Sequence, residues 1–82
     1  MTAHDRVYFH FAREHYVGRP LRDPEHVEAL LEAAAVPPGK VDAGFWRQVR
    51  TDWVWGVSSA PFDAATANAA YRRHCVRRGV KP

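Results

Sequence analysis

Proline and glycine punctuation constrains this chain more than any other feature. Breaks stand at Gly18-Arg19-Pro20, at Pro37-Pro38-Gly39, between Gly56 and Pro61, and at Gly79. Proline inside a helix removes a hydrogen bond and clashes with the preceding turn, whereas glycine readily takes the left-handed conformation that ends helices. Four segments of helical length remain between the breaks, and 82 residues suit one domain rather than two. The expected fold is therefore all-α, a compact single-domain bundle of three to four short helices over residues 1–82. The helices are expected at about 5–17, 24–36, 43–55 and 64–78.

Periodicity supports each segment. In the first, Val7, Tyr8, Phe9, Phe11, Ala12, His15 and Tyr16 spread over roughly 200° of helix surface, at 100° per residue, which suggests packing on more than one neighbour. Arg6, His10, Arg13 and Glu14 take the remainder. The second opens on Asp23 as a cap with Pro24 at the first helical position, and buries Val27, Leu30, Leu31 and Ala34. Its Glu25, Glu28 and Glu32 share another face, expected to be solvated. In the third, Phe45, Trp46, Val49 and Trp53 make an aromatic seam suited to core packing. Asp63 is positioned to cap the fourth, where Ala64, Ala67, Tyr71 and Cys75 are expected to face the core, with Arg73, His74 and Arg77 turned away.

Charge is unevenly placed. Residues 1–41 carry a net −1 and residues 42–82 a net +4, most of it in the last eleven positions. Arg72, Arg73, Arg77, Arg78 and Lys81 are thus candidate phosphate contacts, which would make nucleic-acid binding salt-sensitive. The structural explanation is that they offset the helix dipole, stay solvated, or pair with the acidic stripe of the second helix. Arginine outnumbers lysine ten to two and isoleucine is absent, as expected of a GC-rich coding genome such as that of an actinobacterium or its phages.

Few residues look equipped for chemistry. One cysteine, Cys75, excludes an internal disulfide and a multi-cysteine zinc site. His10 and Glu14 are spaced i,i+4, but two ligands do not make a metal site, and no His-Glu-x-x-His pattern accompanies them. His74 and Cys75 are adjacent and point about 100° apart on a helix, unsuited to joint action. Glycines are isolated, so no phosphate-binding loop is evident. No catalytic residue, metal or cofactor is expected.

The run Gly18-Arg19-Pro20-Leu21-Arg22-Asp23-Pro24-Glu25 with Leu30-Leu31, and then Gly56-Val57-Ser58-Ser59-Ala60-Pro61-Phe62, resembles the helical insertion and the Gly-Val-x-x-x-Pro loop of DsbA-like thioredoxin-fold proteins. The chain lacks the Cys-x-x-Cys motif and the strands of that family, so its redox function does not carry over. The expected function is a small, non-enzymatic, cytoplasmic binding or regulatory protein. It would engage a protein partner, or itself, through Trp55 and Phe62, with DNA or RNA binding by the arginine-rich helix as the alternative. A membrane partner is not expected, because no apolar run is long enough to span one.

Overall fold

A computed structural model describes residues 2–39, 43–57 and 63–81. Among these residues four helices account for the architecture, α1 (Ala3–Tyr16), α2 (Pro24–Ala33), α3 (Ala43–Gly56) and α4 (Ala64–Arg77). The fold is an all-α bundle, and no strand occurs among the described residues, so nothing of a thioredoxin sheet is present in them. Among the described residues, no helix is long and apolar enough to cross a membrane.

Helix starts follow local chemistry. The Asp23 side chain accepts from the Glu25 amide (3.1 Å), and Asp63 accepts from the Thr66 amide (3.0 Å). The first helix begins two residues earlier than expected, because Thr2 and Asp5 form a reciprocal capping box.

Three of the ends share one device. After α1, α2 and α4 a residue with positive φ closes a Schellman motif: Gly18 (81°), Ala35 (54°) and Gly79 (70°). For α2 the Ala35 amide donates to the Glu32 carbonyl (3.0 Å) and the Val36 amide to the Leu31 carbonyl (3.1 Å). That motif ends α2 at Ala33, short of the expected 36. Arg6 from α1 reinforces it, donating from Nε to the Ala34 carbonyl (2.7 Å).

The core joins Val7 and Phe11 of α1, Val27 and Leu31 of α2, Val49 and Trp53 of α3, and Ala67, Ala70 and Cys75 of α4. The α2 helix lies along α4, α1 along α3, and α1 also meets α2. Small residues on α4 permit close approach. The Tyr71 hydroxyl accepts from the Gly39 amide (2.8 Å), tying the Pro37-Pro38-Gly39 connection to α4. Gly39 has φ +78° and a Cβ there would lie 2.7 Å from Val80 Cγ1, so both conformation and space require glycine.

Two faces differ from expectation. On α1, Phe9 and Tyr16 are exposed while Glu14 is buried, so the buried arc is narrower than the apolar one. On α4, Ala64 is exposed and His74 is buried along with Ala70. The alanine-rich first turns carry too little apolar bulk to dictate rotation, and hydrogen-bond partners on α2 set it instead.

Candidate interaction surface around Trp55

The last turn of α3 presents the most conspicuous exposed group. Trp55 is 84% exposed, because the helix persists to Gly56 and keeps Trp55 off the arc that buries Val49 and Trp53. A cleft beside it is lined by Asp5, Tyr8, Phe9, Asp52, Trp55 and Gly56, where α1 and α3 meet. Phe9 is itself 61% exposed, and Val54 is exposed next to Trp55. Gly56 permits close approach of α1, since a Cβ at this position would collide with the Tyr8 hydroxyl. The Tyr16 hydroxyl donates to the Gly56 carbonyl (3.3 Å), which ties α1 to the end of α3. Phe62 lies outside the described residues.

The arginine-rich end of α4 is engaged with α2. Glu28, expected to be solvated, is only 2% exposed. Its carboxylate takes Arg77 Nη2 at 2.9 Å on one oxygen and Arg73 Nε at 3.3 Å on the other. Glu32 is gripped by Arg78 through Nε and Nη2 together. That guanidinium fork, assisted by His74, holds the Glu32 carboxyl below its ordinary range against the opposing effect of burial.

His74 is 1% exposed, which corrects its placement beside solvated arginines. Its Nε2 faces the Val36 carbonyl at 2.7 Å and its Nδ1 faces Glu32 Oε1 at 2.9 Å. Both ring nitrogens thus face acceptor oxygens, one on the side chain of α2 and one on the backbone that follows it. Arg72 and Lys81 are exposed.

Each of the remaining candidates has its own neighbours. Cys75 is fully buried and unbonded, next to the core residue Tyr71. Glu14 turns toward His26 (3.3 Å) and Arg19 (4.0 Å). His15 is half-buried, with its ring edge-on to Trp53 at 5.6 Å. The group that sequence patterning missed is His4, Asp5 and Asp52, whose ligand atoms all lie within 4.8 Å of one another. Its third member comes from another helix, so no spacing in the sequence announces it.

No protein-family model, no curated protein and no solved structure matches the chain.

Proposed function

We propose that this chain is a non-enzymatic binding protein that engages a protein partner through the aromatic surface centred on Trp55. The observation that carries the reading is the exposure of Trp55, 84%, beside Phe9 on the adjoining helix. Leaving two large aromatics in water forgoes roughly 25 cal/mol for each Å² of apolar surface left uncovered, and a partner recovers that energy. Exposed tryptophans are also the residues most enriched among binding hot spots. The carboxylates of Asp5 and Asp52 edge the same cleft, which suits a partner segment with an apolar anchor and a neighbouring cation.

Nucleic-acid binding is the second reading. Arg72 and Lys81 are exposed, and Arg73, Arg77 and Arg78 keep at least half of their side-chain surface in solvent. The acids of α2 already offset three of those guanidiniums, which leaves a weaker attraction for phosphate than the sequence charge suggests.

Capture from cells of the source organism, run in parallel with wild type, Trp55→Ala and Arg72→Ala, separates the readings. A partner protein lost with Trp55→Ala and kept with Arg72→Ala is the expected result. Nucleic acid retained by wild type and Trp55→Ala but released by moderate salt or by Arg72→Ala favours the second reading. Sedimentation of wild type alone reports self-association; a dimer abolished by Trp55→Ala would make a second copy the occupant.

A further inference from the structure

We propose that His4, Asp5 and Asp52 form a binding site for a divalent transition-metal ion of the zinc class, built where the first turn of α1 meets α3. The arrangement of free and occupied ligand atoms carries the inference. Asp5 Oδ2 accepts from the Thr2 hydroxyl (2.8 Å) and the Thr2 amide (3.2 Å), which leaves Oδ1 facing His4 Nδ1 at 3.5 Å. Asp52 Oδ1 accepts from Gln48 Nε2 (3.0 Å), which leaves Oδ2 facing the same nitrogen at 3.9 Å. His4 Nδ1 is buried as an atom and has no hydrogen-bond partner among the described residues. A buried polar atom left unpaired forfeits its hydration without replacement, so a group in this position needs a reason.

Each carboxylate is thus oriented by a hydrogen bond on one oxygen and presents the other inward, the pattern by which outer hydrogen bonds aim metal ligands. The Phe45 ring packs edge-on to the His4 imidazole at 6.2 Å. Ligands about 2.0–2.2 Å from zinc in a tetrahedron stand about 3.3–3.6 Å apart. The 3.5 Å separation already fits, the 3.9 Å one closes with a few tenths of an ångström of side-chain movement, and the two carboxylate oxygens, within 4.8 Å of one another, are drawn together by the ion. Two carboxylates outweigh the partial positive charge of the helix N-terminus, and Thr2 already occupies the amide of Asp5.

One imidazole and two carboxylates form a mixed nitrogen–oxygen set. Such a set favours zinc, cobalt, nickel or manganese over magnesium and calcium, which prefer oxygen throughout. Three protein ligands leave at least one position open, and Asp5 and Asp52 both line the Trp55 cleft through which water or a partner's donor would reach it. The site does not depend on the partner reading, since binding of the ion is measured on the isolated chain.

The test is calorimetric titration of the untagged, chelator-stripped full chain with zinc chloride, followed by cobalt chloride with its visible absorption recorded. One ion per chain is expected, with affinity falling at least tenfold in His4→Ala and in Asp52→Asn, and kept in His10→Ala. Asp52→Asn preserves shape, so it reports on ligation even if His4→Ala disturbs packing; circular dichroism checks both. Nitrogen-15 shifts of the imidazoles should single out His4 Nδ1 as the coordinated atom. Absence of saturable zinc binding in wild type, or equal affinity in wild type and Asp52→Asn, overturns the site.

Discussion

Glu28 loses nearly all its hydration on folding and recovers it from two guanidiniums that themselves remain half in water. Removing one side of such a pair leaves the buried charge uncompensated, which is costlier than removing both. The double variant Arg73→Ala/Arg77→Ala is therefore expected to lose about 2–3 kcal/mol in urea unfolding. Adding Glu28→Leu to that variant should return part of the loss, because no charge is then stranded. A triple variant no more stable than the double would show that Glu28 is not the source. Any nucleic-acid assay on Arg73 and Arg77 must be read against this loss of stability, whereas Arg72 is free of it.

Acid sensitivity follows from three carboxyls held below their ordinary range. Thr2 lowers Asp5, Thr66 lowers Asp63, and Arg78 with His74 lowers Glu32. A carboxyl whose pKa is depressed by folding contributes stability that is present above its unfolded value and lost as pH falls through the folded one. Thermal midpoints should accordingly drop as pH falls below about 4. Glu32→Gln should flatten that decline, and an unchanged slope would exclude Glu32 from it.

Among the helices, α2 carries an avoidable strain. Ala35 is an exposed non-glycine residue at φ 54°, where α1 and α4 use Gly18 and Gly79. An L-residue in that conformation costs about 1–2 kcal/mol, partly offset by the extra unfolded-state freedom of glycine. Ala35→Gly is expected to stabilise the protein by about 0.5–1 kcal/mol, read as a raised urea midpoint. At the opposite kind of terminus, Asp63→Ala removes the α4 cap and should cost about 1 kcal/mol. The starts of α2 and α4 are legible because their causes are local: Asp23 and Asp63 sit within three residues of the amides they cap. The α2 end falls short of its expected position because alanine gives no warning of a left-handed turn.

For the molecule as a whole, two tryptophans on one helix have opposite fates. Trp53 is buried in the core, so Trp53→Ala should cost about 3–5 kcal/mol, whereas Trp55→Phe should stay within about 0.5 kcal/mol of wild type. Most iodide quenching of wild-type fluorescence should disappear in Trp55→Phe; quenching that persists would mean the exposed indole is not Trp55. The aromatic seam of α3 was readable because Phe45, Trp46, Val49 and Trp53 share an arc. Whether Trp55 stayed outside depended on the helix continuing past it to Gly56, which periodicity leaves open.

Sequence alone determined the four helices, the Asp23 and Asp63 caps and the concentration of positive charge in the second half, since each arises among residues close along the chain. Tertiary structure decided which charges are spent and which ligands meet. Alanine-rich α4 has little apolar bulk to set its rotation, so Glu28 and Glu32, more than forty residues away, turned His74 inward and engaged Arg73, Arg77 and Arg78. His4 and Asp52 likewise come together only because α1 packs on α3. Such pairings depend on how helices rotate and cross, a property of two packed faces rather than of either segment.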